Sequence, residues 1–100
     1  MSTPLVFKFG GASVKDAQSV RNVARIIGQF SQRPMVVVVS AMGKMTNAFE
    51  EVVAAWSNGN LSEANAKIDA IAAFHQGITN ELFEDPTEIN EHVAALIASI

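Results

Sequence analysis

The sequence contains no cysteine, which removes disulfides, thiolate metal ligands and cysteine nucleophiles together. Positive charge is scarce: seven Lys and Arg stand against ten Asp and Glu, for a net charge of −3. No basic patch exceeds two cations in close succession, so the footprint of a nucleic-acid binder is missing and no nucleic-acid partner is expected. No apolar run approaches the roughly 18 residues of a membrane span, so no membrane partner is expected either. Met1-Ser2-Thr3-Pro4 lacks the basic n-region of a signal peptide, and the apolar stretch after it ends at Lys8. A soluble cytoplasmic protein is the expectation. The two histidines, His75 and His92, have no metal-ligand spacing, and no protein-built metal site is expected. Internal repeats and low-complexity segments are absent.

What is present is ordinary for a globular chain: 49% apolar and 17% charged residues, six Gly and three Pro. One hundred residues predict one small domain with a single core. Leu5-Val6-Phe7-Lys8-Phe9 is a short apolar run stopped by Gly10-Gly11, which reads as a buried strand ending at a glycine turn. The period then changes. Val14, Ala17, Val20, Val23, Ala24, Ile27 and Phe30 recur at spacings of three and four and form one helical stripe. Ser13 and Asp16 form a capping pair at its start, and Gly28 weakens its end. After Pro34, Met35-Val36-Val37-Val38-Val39 is β-branched without polar alternation, the pattern of a parallel strand covered on both faces. Strand, helix and strand within about 35 residues make a βαβ unit.

The remainder reads as helix. Asn47 to Trp56 is a short amphipathic segment closed by Asn58-Gly59. Leu61, Ala64, Ile68, Ile71, His75, Ile78 and Leu82 mark one face of a longer helix. Asp85-Pro86-Thr87-Glu88 gives a cap, a Pro at the first helical position and an acid in the first turn. Ile89, Val93, Leu96, Ile97 and Ile100 continue as a last helix, with Ile100 inside the pattern. His75, on an apolar face, reads as packed and hydrogen-bonded, His92 as exposed, and Trp56 and the Phe residues as core. Two strands are few against the mean of about five or six in a sheet. The expectation is therefore the first portion of a larger α/β domain whose remaining strands lie beyond Ile100.

Both strands of a parallel pair point one way, so the loop Gly10-Gly11-Ala12-Ser13 and the loop Ser40 to Thr46 meet at one edge. Ligands of open α/β sheets bind at that edge. Gly-Gly permits close backbone approach, and a following helix would aim its N–H groups and dipole at the same spot, which suits an anion. Lys8 must snorkel out or meet a negative partner. Plainer roles stand beside these: a simple βα connection for Gly10-Gly11, a strand-end residue for Ser40, a helix cap for Thr46. Neither G-x-x-x-x-G-K-[ST] nor G-x-G-x-x-G fits; Gly43-Lys44 is followed by Met45 where a P-loop needs Ser or Thr.

Two segments resemble a known family. Val6-Phe7-Lys8-Phe9-Gly10-Gly11-Ala12-Ser13-Val14 is similar to the aspartate kinase signature K-F-G-G-[TS]-S-V, with Ala12 where Thr is usual. Val36-Val37-Val38-Val39-Ser40-Ala41-Met42-Gly43-Lys44-Met45-Thr46-Asn47 resembles V-V-x-S-A-x-x-x-x-T-N of the same family, and the helix around His75 also has a counterpart there. The resemblance implies the amino acid kinase fold, a three-layer αβα sandwich around a mainly parallel sheet. Residues 1–100 would be the N-terminal part of its catalytic domain, inactive by itself, with the rest and the regulatory domains further on. It implies ATP, as its magnesium complex, and L-aspartate as substrates, and a homo-oligomer for the full-length form. Lys8 would act in catalysis and, with Phe9, Gly10 and Gly11, bind the nucleotide; Ser40 and Thr46 would hold aspartate. The competing expectations are another amino acid kinase, acting on N-acetylglutamate or glutamate, and a truncated module without catalysis.

Overall fold

The structure, a computed structural model, describes residues 3–100; Met1 and Ser2, which open the segment read as lacking a signal peptide, lie outside the described residues. β1 (Leu5–Phe9) leads through a tight 3-10 turn, Gly11–Val14, into α1 (Ala17–Gly28) and then β2 (Met35–Val39). The strands pair in parallel, from Leu5 opposite Met35 to Phe9 opposite Val39, as a βαβ crossover requires. Three helices follow: α2 (Met45–Ser57), α3 (Leu61–Leu82) and α4 (Thr87–Ala98). Instead of the single core expected, the chain forms two compact units, Met1–Lys44 and Met45–Ile100.

In the first unit the side chains of β1 alternate. Phe9 is buried with Val14 and Val23, and Phe7, Val20, Ile26, Ile27 and Met42 pack around them. Phe7 and Phe9 stack on the same face with centroids 6.0 Å apart, and Phe30 tilts against Phe7 at 5.3 Å. The opposite face carries Val6 and Lys8 beside their partners Val36 and Val38. It is open: Val6 is 72% exposed. β2 was expected to be covered on both faces, yet Val36 to Val39 are all exposed. α1 packs on the Phe7–Phe9 side of the pair through Val20, Val23, Ile26 and Ile27.

α1 begins later than the sequence stripe suggests. Ser13 does not cap it: it lies inside the 3-10 turn, where its N–H donates to the Gly10 carbonyl at 3.0 Å. The cap is Asp16, whose Oδ1 accepts from Ser19 N–H at 2.8 Å. Val14 and Phe30 therefore lie outside α1 while still meeting its core. The hydrogen bonds from Ser19 hold the Asp16 carboxyl below its usual value of 3.8, with Lys15 assisting. A depressed folded pKa means that the cap contributes fully above pH 3.8 and is lost as pH falls through the lower folded value. Asp16→Asn keeps an acceptor without the charge. Acid titration of helicity by circular dichroism should then show a smaller loss below pH 4 in the variant than in the wild type, and identical curves would remove the cap's role.

The helical unit follows its sequence pattern more closely. α2 ends in a Schellman arrangement: Asn60 N–H bonds Ala55 O and Gly59 N–H bonds Trp56 O, both at 3.0 Å, with Gly59 at φ 75°. Asn60 and Glu63 form a reciprocal cap on α3, at 3.1 and 3.0 Å, which the sequence reading missed. Ala64, Ile71 and Ile78 of the α3 stripe are buried with Val52 and Ala55 of α2. Lys67 bridges Glu51 on α2 at 3.3 Å, an exposed pair worth at most about 1 kcal/mol. His75 is packed and half-buried as expected; its Nδ1–H donates to Ile71 O at 2.8 Å. His92 is exposed.

Three expectations change in this unit. Asn90 N–H bonds Pro86 O at 2.8 Å, so Pro86 occupies the cap position and not the first helical one, with Asp85 accepting from Thr87 just before it. α4 ends at Ala98, which leaves Ile100 outside. Trp56, read as core, is 65% exposed along an apolar groove with Val53, Leu61, Ile97 and Ile100. Among the Phe residues only Phe9 is buried, and Phe30 and Phe83 are exposed. Being apolar does not by itself place a side chain inside.

Candidate anion-binding loops

The C-terminal edge of the parallel pair brings two loops together, as the topology requires. Ser40 N–H donates to Phe9 O at 2.9 Å, extending the ladder by one bond. Beyond it, Gly43 N–H donates to Gly11 O at 3.1 Å. The approach is closer still on the other side of Gly11: a Cβ built there would lie 2.5 Å from Gly43 O and 3.2 Å from Ala41 O. The backbones form a clasp, and Gly43 completes it in the left-handed region at φ 53°. Gly11 is not in that region. It must be glycine for want of space, not for its torsion angle.

Gly10 differs from its neighbour. Its backbone is extended, at φ −76° and ψ 176°, and a Cβ there would meet nothing within 4 Å. The N–H groups of Gly11 and Ala12 have no partner among the described residues. Two adjacent free donors at a turn make an anion-binding concavity. The donors come from the 3-10 turn, however, and not from α1. The expected dipole contribution of α1 is not delivered there, because Asp16 already occupies its N-terminus.

Lys8 projects from the open sheet face, exposed, with no ion pair or hydrogen bond among the described residues. Of the two alternatives for a lysine at this position, it snorkels out. Ser40 is exposed at the strand end. Thr46 belongs to the helical unit, where it is the second residue of α2, exposed beside Phe49, Glu50 and Val53. It lies two residues past the position of a helix cap. Beside the 3-10 turn a cavity of about 440 Å³ is floored by Phe9, Val23 and Ile26 and rimmed by Ala12, Ser13 and Asn22.

Sequence reasoning did not find the main-chain roles of Ala41 and Gly43. The available signal was a glycine in the second loop of a βαβ unit whose first loop is also glycine-rich. For metal, Asp16 is the one acid in Met1–Lys44, and it is engaged in capping. Among the described residues no group of His, Asp and Glu could hold an ion. The residues of this unit do not fit a protein-held magnesium ion.

The protein is 35% identical over 95 residues to aspartokinase 2, chloroplastic, of Arabidopsis thaliana, covering 91% of this chain and 17% of that protein. It is 37% identical over 95 residues to aspartokinase 1, chloroplastic, of the same plant, covering 91% and 16%. A 50-residue stretch is 52% identical to the aspartokinase of Chlamydia trachomatis serovar D, covering 50% and 11%. The chain thus spans 17% or less of the length of these relatives. The amino acid kinase family matches residues 3–99, which takes in the glycine turn, both strands and nearly all of the helical unit: the chain belongs to the amino acid kinase family.

Proposed function

We propose that this chain forms part of an aspartate kinase, which transfers the γ-phosphoryl group of ATP to the side-chain carboxylate of L-aspartate. The observation that carries the reading is the Gly11–Gly43 clasp, with N–H groups at Gly11 and Ala12 and, two residues before Gly10, an exposed Lys8, all without a partner among the described residues. The aspartokinase names of the relatives supply the acceptor. In the reaction the bond from the γ-phosphorus to the ADP oxygen breaks, and a bond to a carboxylate oxygen forms. ADP and β-aspartyl phosphate leave, the latter toward lysine, threonine and methionine. The acceptor needs no activation because it is already ionised at neutral pH.

The difficulty is bringing one anion to another, and catalysis is mainly positioning and electrostatic stabilisation. Lys8 supplies a cation and the Gly10-Gly11 turn supplies N–H donors to the phosphates, with Phe9 fixed in the core beneath them. Ser40 and Thr46 hold aspartate. ATP would enter as its magnesium complex, with part of its phosphate charge already offset. The two strands belong to the parallel sheet of a three-layer αβα sandwich. The whole protein works as a homo-oligomer in the cytoplasm. No helix of the described residues is long and apolar enough to cross a membrane.

Thr46 tests the acceptor. In the full-length protein Thr46→Val removes a hydroxyl at nearly constant volume, and a substrate carboxylate left short of a donor loses roughly 1–3 kcal/mol. The KM for aspartate should rise about five- to 150-fold, with the KM for ATP nearly unchanged. An unchanged aspartate constant would remove Thr46 from the acceptor site. Turnover of N-acetylglutamate or glutamate in preference to aspartate would assign the protein to another branch of the family.

A further inference from the structure

Charge is divided very unevenly between the two units. Six of the seven Lys and Arg residues lie in Met1–Lys44 with Asp16 as the one acid there, a net charge of +5, whereas nine of the ten acids lie in Met45–Ile100. Most of the six cations are engaged. Arg25 donates to Asn22 Oδ1, Arg33 donates to Thr3 O, Arg21 has a partner, and Lys15 lies beside Asp16 and helps to depress its pKa. Lys8 and Lys44 are exposed and have no partner among the described residues.

These two lysines flank the same feature. Lys8 stands two residues before Gly10, and Lys44 directly follows Gly43, whose N–H is bound to Gly11 O. Consecutive Cα atoms are about 3.8 Å apart, so Lys44 starts one peptide unit from the clasp. Each glycine loop of the clasp thus carries an exposed lysine close in sequence, Lys8 before Gly10 and Lys44 after Gly43, and positive charge on both loops favours an anion bound at the clasp. Gly43-Lys44 also resembles the end of a P-loop without its fingerprint, a feature the proposed roles of Ser40 and Thr46 leave unexplained.

We propose that Lys44 is a second phosphate-binding cation, which with Lys8 holds the polyphosphate tail of a nucleoside triphosphate across the Gly11–Gly43 clasp. This rests on the reading of the Gly10-Gly11 turn as the phosphate loop. The test is titration calorimetry on the full-length protein with ATP, inorganic tripolyphosphate and adenosine, at two salt concentrations. Lys44→Gln should weaken ATP and tripolyphosphate by about ten- to a hundredfold, the range for losing a hydrogen bond to a charged group. It should also reduce the salt dependence of binding, leave adenosine unaffected, and be largely rescued by Lys44→Arg. Wild-type affinity for tripolyphosphate in Lys44→Gln, with weakened binding in Lys8→Gln, would overturn the role of Lys44 and leave the phosphate loop standing. Equal losses in Lys44→Gln and Lys44→Arg with a lowered Tm would show a structural role and overturn it as well. If wild-type protein binds neither ATP nor tripolyphosphate, the phosphate-loop reading itself falls.

Discussion

Lys8→Ala in the full-length protein is expected to lower kcat by on the order of a hundredfold or more while leaving the fold unchanged. The magnitude is that of removing one preorganised donor to the charge that develops in a transition state. The fold should be indifferent because Lys8 is exposed on the open face of the sheet and makes no ion pair among the described residues. Surface substitutions of this kind usually change stability by no more than about 0.5 kcal/mol. Steady-state kinetics and a melting curve on the same preparation separate the two quantities. Turnover close to wild type would take Lys8 out of the mechanism; a large drop in Tm would mean that its stem supports the valines beside it.

Gly11→Val should abolish ATP binding in calorimetry. The structural cause is stated by the clasp: a Cβ would stand 2.5 Å from Gly43 O and 3.2 Å from Ala41 O, and both are backbone atoms. Neither can swing aside as a side-chain end would, so the loops must part, at a cost of about 1–3 kcal/mol typical of overpacking. Gly10→Ala serves as the comparison, since space surrounds that position and its φ is negative. It should retain the wild-type Tm and yet weaken ATP if phosphate approaches the backbone there. Unchanged ATP affinity in Gly11→Val would reduce the clasp to a structural joint.

Much of the local structure was legible because the signals were strong and local. The run of valines after Pro34 and the run Leu5–Phe9 each matched a strand to the residue. The 22-residue α3 was readable because its stripe repeats over six turns. The start of α1 was not, because Val14 continues the apolar period while its backbone is in a 3-10 turn. Periodicity reports which side chains face a core, not which hydrogen bonds the backbone makes. Trp56 was misplaced for the converse reason: size and apolarity favour burial without saying what covers the ring. At the candidate site, the adjacency of the two loops followed from parallel topology alone. The clasp did not, since the demand for glycine at Gly11 comes from carbonyls about 30 residues away. Nor did the loss of the helix dipole, which depended on Asp16 capping α1 two residues after the turn.

The Gly11–Gly43 clasp also sets an order of events during synthesis. Its partners are distant in sequence, and such contacts form only after the entropy of closing the intervening loop has been met. The first glycine turn therefore leaves the ribosome without the atoms that fix it. It stays a loose segment until α1 has formed and β2 has aligned beside β1. At translation rates of about 5–20 residues per second, that interval lasts on the order of a few seconds. A nascent chain would bind a polyphosphate only after Gly43 has emerged, so ligand capture by arrested chains of increasing length would mark the moment at which the edge is assembled.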